Sequence, residues 1–303
     1  MPKMETAFIS NVVYSSAAHV EDLLMFVNHV TAEMKKHFAS YEIVIVNNCN
    51  PNMAAIKNAL ITGISANDCI TIVHMSEVQS LEACMRAGVD VAVGDFVYEF
   101  ESLSYDFNTD ALWKAYQKAQ EGYDIVNAEI KKNSLSRAIY YNVFNQFSKS
   151  QVNLYASAFR LVSRRAINRI TSLNLDIDWR NAAYANCGLK TGTIEYNLKA
   201  NVRKNRNVFL AIDSFLLYTD LPGKAVFCLA STGGVFTVLC IILACLKFSW
   251  TDAAFKILLT LCIALIMAVV LISFHYLSLL LRTSRLHKKY LVDGIEKLQR
   301  SKR

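Results

Sequence analysis

Two carboxylates two residues apart, Glu99 and Glu101, close the segment Gly94-Asp95-Phe96-Val97-Tyr98-Glu99-Phe100-Glu101, which reads as a strand. Alternation along a strand puts both side chains on one sheet face. Such a pair, with Ser102 beside it, can offer hard oxygens to a divalent ion or to the groups around a diphosphate; the plain alternative is a solvated loop acid and a strand-edge charge. Arg160, in the apolar run Phe159-Arg160-Leu161-Val162, can fork onto phosphate oxygens or serve as an ion-pair partner. Asn47 and Asn48 open the turn Asn47-Asn48-Cys49-Asn50-Pro51-Asn52; they are turn formers whose amides can also meet a ligand. Lys131 and Lys132 are phosphate contacts or an ordinary solvated face, and Arg203 and Arg206 sit in a basic stretch ahead of a long apolar run.

The elements that must position these groups alternate between strand and helix. Ala7–Tyr14 and Tyr41–Val46 suit buried strands; between them His19–Phe38 carries apolar residues at helical spacing. A helix through Ala54–Leu60, a strand Cys69–Val73 and a helix Ser80–Ala87 closed by Gly88 follow, then the strand ending at Glu101. Ala111–Glu121 reads as a helix, Tyr123–Glu129 as a strand, and Ser163 as the cap of a helix through Ile170. This order predicts an α/β fold with a Rossmann-type, mostly parallel sheet flanked by helices. In such sheets ligands bind beyond the carboxyl ends of the strands, here Tyr14-Ser15, Asn47–Asn50 and Glu101-Ser102.

The last third is different. Residues 226–246 and 257–281 contain no Asp, Glu, Lys or Arg. Each exceeds the roughly 20 residues a helix needs to cross about 30 Å of hydrocarbon. They predict a transmembrane hairpin, with Trp250 and Phe255 at the interface. Residues 203–224 form an amphipathic juxtamembrane segment that feeds the first span through a break at Pro222-Gly223, and 282–303 form a basic tail. The positive-inside bias puts both termini and the domain of residues 1–202 in the cytoplasm. The net charge of +7 falls partly around the spans, which fits anionic lipid and argues against nucleic acid. The eight Cys show no Cys-x-x-Cys pair and read as reduced; half lie in the spans. No secretory leader is expected before the first strand, and the absence of an ER retrieval signal in the tail favours a bacterial plasma membrane. Gly233-Gly234 permits close helix packing and a homo-oligomer.

Taken together, these elements resemble the GT-A family-2 glycosyltransferases that charge polyisoprenyl phosphates, the group of the dolichol-phosphate mannose synthases and bactoprenol glucosyltransferases. Val13-Tyr14 stands where that family's first strand ends in Pro-Val-Tyr-Asn-Glu. Tyr41–Val46 matches the strand before its Asp-Asp-Gly-Ser turn, and Ala87-Gly88 with Val93-Gly94-Asp95 the residues ahead of its Asp-x-Asp strand. Phe159–Arg165 is close to its Asp-Phe-Arg-Leu-x-Ser-Arg signature, and Tyr290-Leu291-Val292 is similar to its tail. The resemblance implies a nucleotide-sugar donor (UDP favoured over GDP) held by Tyr14, Asn47, Asn48 and Glu99, with Glu101 and Arg160 catalytic. It implies a polyisoprenyl phosphate met by Lys131, Lys132, Arg203 and Arg206, and Mg²⁺ or Mn²⁺ on Glu101. Trp179-Arg180 falls where the family has a loop over the acceptor site. The departures fall in the acidic motifs: Asn47-Asn48-Cys49-Asn50 replaces Asp-Asp-Gly-Ser, Glu101-Ser102-Leu103 replaces Asp-x-Asp, and Ala158 replaces the acid before Phe159. A catalytically inactive member acting as a partner in glycan assembly is the alternative.

Overall fold

A computed structural model describes residues 4–16, 19–63, 69–103, 110–130, 139, 142–146, 157–172, 180–196, 221–245, 253–285 and 290–298. Lys131, Lys132, Arg203, Arg206 and most of the 203–224 segment lie outside these. The chain divides into two compact units. One comprises Met1–Asn142, Ser150–Lys204 and His287–Arg303, the other Val143–Lys149 and Asn205–Leu286.

The first unit is an eight-stranded sheet. In chain order its strands are β1 (Met4–Ser15), β2 (Phe38–Asn47), β3 (Cys69–Met75), β4 (Phe96–Phe100), β5 (Ile125–Ile130), β6 (Ser157–Ser163), β7 (Thr191–Tyr196) and β8 (Val292–Leu298). They lie in the spatial order β7-β5-β6-β4-β1-β2-β3-β8. Strands β1–β5 and β7 run one way; β6 and β8 are antiparallel to their neighbours. The expected mostly parallel sheet is therefore present, and its central strands are apolar on both faces because both are covered. One face packs on α1 (Val20–His37), α2 (Met53–Gly63) and α4 (Asp110–Gln120) through residues such as Phe26, Ile43, Tyr98 and Leu112. The other packs on α3 (Leu81–Val91), α5 (Arg164–Ser172) and α6 (Arg180–Asn186) through Val12, Val46, Met85, Val97 and Ile167.

Local chemistry explains several boundaries. The Ser80 hydroxyl accepts from the Ala83 amide and starts α3; the Ser163 hydroxyl accepts from the Ala166 amide and starts α5, as its sequence position suggests. Gly88 is not the C-cap expected of α3. The helix runs on to Val91, and Gly88 lies inside it because a Cβ there would stand 2.4 Å from Val12 Cγ1 and 2.5 Å from Val46 Cγ2. The glycine lets α3 settle onto β1 and β2.

The stretch read as a basic tail also differs. Its residues 292–298 form β8, antiparallel to β3, with Ile72 opposite Glu296. The apolar helices are thus an insertion between two strands of one sheet. Its apolar residues Val292, Ile295 and Leu298 are three apart rather than alternating, so the sequence did not separate an edge strand from a solvated tail.

The second unit contains α7 (Leu221–Cys245) and α8 (Ala253–Arg285). Pro222-Gly223 makes no break: both lie in the first turn of α7, where a missing N–H costs nothing. Both helices are long and apolar enough to cross a membrane, with only 11% and 6% of their most apolar windows buried. A core helix of this composition would be covered. The two pack against each other, with Gly233 facing Leu265 and the Thr237 hydroxyl 3.1 Å from Cys262 Sγ.

Candidate active site at the carboxyl ends of the strands

Strand register assembles the charged half of the site. Glu99 of β4 lies opposite Arg160 of β6, and Arg160 lies opposite Asn127 of β5, so the three side chains form one cross-strand row. Arg160 donates through Nε to Asn127 Oδ1 (2.8 Å), through Nη1 to Glu99 Oε2 (3.2 Å) and through Nη2 to Asn181 Oδ1. Its guanidinium also stands over the Tyr184 ring, 4.8 Å from the centroid.

The residue that joins the acids is Arg180, at the start of α6. Its Nε donates to Glu82 Oε2 (2.6 Å), Nη1 to Glu99 Oε2 (2.7 Å) and Nη2 to Glu101 Oε1 (3.0 Å); its backbone N–H also reaches Glu82. The Tyr184 hydroxyl donates to the other oxygen of Glu99. Burial alone would lower the Arg180 pKa, but Glu99, Glu82 and Glu101 together raise it well above its ordinary value. Burial, and after it the Glu99 charge, push the Tyr184 phenol well up, so it stays a donor. Both arginines are permanently charged, and three carboxylates against two guanidiniums leave one formal negative charge in excess. Exposure separates the two acids of β4: the Glu99 side chain is 1% exposed and Glu101 17%. Glu99 holds the arginines; Glu101 faces outward enough to meet a ligand. Arg180 and Tyr184 also line a cleft between α3, α5 and α6.

The neutral half lies at the ends of β1 and β2. The Asn47 side-chain oxygen accepts from the Asn50 amide (2.8 Å), Asn50 Nδ2 donates to the Ser15 hydroxyl (3.0 Å), and the Asn48 backbone amide donates to the Ser15 carbonyl (2.8 Å). Asn48 Nδ2 donates to the Tyr14 hydroxyl (3.0 Å), so Tyr14 and Asn48 do meet, as their shared place at the strand ends suggests. Cys49 takes φ 54°, the left-handed conformation that favours Gly.

Sequence reasoning gave Arg180 only a place in a loop and passed over Glu82, Asn127, Asn181 and Tyr184. A signal was present: Glu99 interrupts an otherwise apolar central strand, and a buried acid requires a cation. The divalent-ion site is not matched by the residues present. Glu101 Oε1 is bound to Arg180, Leu103 stands at the second acidic position, and among the described residues no group of three or more His, Cys, Asp or Glu is arranged to hold a metal ion.

No family model matches the chain. It is 26% identical over 168 residues to an uncharacterized glycosyltransferase of Synechocystis sp. (strain ATCC 27184 / PCC 6803 / Kazusa), covering 53% of this chain and 51% of that protein. The chain thus spans about half the length of the curated relative it matches. Among solved structures it is similar to a mannosyltransferase from Pyrobaculum calidifontis in complex with GDP-Man and Mn²⁺. That match has a TM-score of 0.50 and 12% identity over 93% of this chain and 76% of that one. The mannosyl-3-phosphoglycerate synthase from Rubrobacter xylanophilus has a TM-score of 0.48 and 12% identity over 69% and 72% of the two chains. At such identities the likeness is one of fold, and the fold is GT-A-like.

Proposed function

We propose that this chain is a membrane glycosyltransferase that moves a sugar from a UDP- or GDP-sugar to a polyisoprenyl phosphate, inverting the anomeric centre. The observation that carries the reading is Glu101. It is a partly exposed carboxylate at the carboxyl end of β4, oriented by a buried arginine, in a GT-A-like sheet. The lipid phosphate is already an anion. One of its oxygens attacks the anomeric carbon, the bond from that carbon to the nucleoside diphosphate breaks, and the electron pair leaves with the diphosphate. Arg180 and Arg160 keep Glu101 and its neighbours in place during this exchange. No step is assigned to a divalent ion, because Glu101 and Leu103 do not make its ligand set. Helices α7 and α8 would hold the α/β unit on the cytoplasmic face of a bacterial plasma membrane, where the acceptor lies. Lys131, Lys132, Arg203 and Arg206 remain the proposed contacts for its phosphate.

The test is transfer of radiolabelled sugar into organic-extractable lipid by purified protein, with undecaprenyl phosphate, a panel of UDP- and GDP-sugars, and Mg²⁺ and Mn²⁺ supplied. Label in the lipid phase is expected with one donor; no label with any donor, from protein that melts cooperatively, would overturn the reading. A second reading is a silent member that binds partners in glycan assembly. It is favoured by the way Glu99, Arg160, Asn47 and Asn48 are taken up by bonds within the chain. Nucleotide binding without transfer would select it.

A further inference from the structure

After α8 the chain re-enters the α/β unit at β8, where it is hydrogen-bonded to Asn48 through Gln79 and lies beside His74, the side-chain partner of Asn47. For Asn48 the bridge is Gln79. Asn48 Oδ1 accepts from the Gln79 backbone amide (2.8 Å), and Asn48 Nδ2 donates to the Gln79 carbonyl (2.9 Å). The Gln79 side chain then pairs both ways with the backbone of Leu291, donating from Nε2 to its carbonyl (2.6 Å) and accepting its amide (2.9 Å).

For Asn47 the bridge is His74. The Asn50 amide fixes which way the Asn47 side chain points, because an N–H must face Oδ1. Asn47 Nδ2 therefore faces His74 Nδ1 at 3.0 Å as a donor. The other ring nitrogen, Nε2, lies 3.7 Å from Glu296 Oε2 of β8, and Glu296 is itself paired with Lys57 of α2. The start of the returning segment is fastened separately: the Tyr290 hydroxyl donates to Asp90 of α3 (2.9 Å).

We infer that residues 290–298 are a working part of the candidate donor site, with Gln79 and His74 as positioning residues that hold Asn48 and Asn47 for a nucleotide. The inference rests on the nucleotide-donor reading above. Binding groups act well only when their rotamers are locked by a supporting shell. Here the shell for the turn at residue 48 comes from sequence more than two hundred residues later. The donor site is complete only once the chain has passed through both apolar helices and come back.

Full-length protein in lipid nanodiscs provides the test, by calorimetric titration with UDP and with GDP. Gln79→Ala and His74→Phe are compared with wild type and with Asp293→Ala, an exposed change on β8 that touches neither bridge. The expected result is about three- to tenfold weaker binding in both bridge variants, the size for one or two side chains that must be ordered on binding. Amide exchange should also be faster in the peptide covering 47–52, with wild-type behaviour in Asp293→Ala. Gln79→Ala removes contacts from a half-buried loop residue and keeps the test open if His74→Phe does not fold. Wild-type affinity in Gln79→Ala would overturn the inference and leave the donor reading standing. Failure of the wild-type protein to bind either nucleotide would overturn the donor reading and the inference with it.

Discussion

At the end of β2 the sheet closes on buried neutral amides; at the end of β4, two places away in the sheet, it closes on buried charge. The Asn47–Asn50 turn is held by hydrogen bonds that each contribute about 0.5–1.5 kcal/mol net. The Glu82–Glu99–Glu101 cluster is held by guanidiniums whose desolvation is large and whose pairing must be nearly complete. The first arrangement satisfies its buried polar groups without gathering counter-ions. The second is a structural anchor that turns one acid, Glu101, outward. The difference shows that acidic residues near a strand end are not interchangeable as candidates: Glu99 and Glu101 both pair with Arg180, yet Glu99 is 1% exposed and Glu101 17%.

The sharpest way to break this contrast is Glu99→Ala. It strands two buried guanidiniums and the Tyr184 hydroxyl, and a loss of about 3–5 kcal/mol is expected. Denaturant unfolding followed by tryptophan fluorescence would read it; a midpoint equal to wild type would mean the cluster is not structural. Next in size is Asn48→Asp, which restores the acid of the resembled family. A carboxylate oxygen would then face the Gln79 carbonyl, two acceptors together, and about 1–3 kcal/mol should be lost in the same measurement. A gain in stability would show that the turn tolerates charge as the β4 end does.

Asp124 supplies a control at the opposite end of the strands, where Ser163 of β6 lies opposite Phe96 at the start of β4. Its buried carboxylate accepts from Ser163 Oγ and from Arg165. Burial would raise its pKa, but the bonds from Arg165 and Ser163 outweigh that and hold it below its ordinary value. A depressed folded-state pKa means stability that is present above the unfolded carboxylate range and lost as pH falls. Asp124→Asn should therefore be about 1–2 kcal/mol less stable than wild type at pH 7, consistent with a bond to a charged group. The gap should close as pH drops below about 4, and sugar transfer should be unaffected. A gap independent of pH would contradict the ion-pair account.

Much of this was legible in advance. The strands β1–β4 and the helices between them announced themselves because apolar runs and helical spacing are local signals. The two apolar helices followed from length and composition. Arg160 stands out beside an apolar run and Glu99 by sharing a sheet face with Glu101, but their pairing required knowing that β4 and β6 are neighbours. Arg180 was obscured for the same reason: its partners sit at 82, 99 and 101, and no periodicity links them. Strand β8 was hidden by its edge position, where charged residues stand among apolar ones three apart. Gly88 misled because a glycine after a helical run signals a cap, whereas close packing on Val12 and Val46 gives it another reason to be there.

The central claim is that Glu101 works while Glu99 holds. Transfer of labelled sugar to undecaprenyl phosphate by Glu101→Gln, measured beside its unfolding midpoint, tests this most directly. Gln keeps an oxygen for Arg180, so the midpoint should stay within about 1 kcal/mol of wild type while transfer falls about a hundredfold or more, as when a positioned charged group is removed from a reacting site. Transfer at the wild-type rate would contradict the claim, as would a loss of activity no greater than the loss of folded protein.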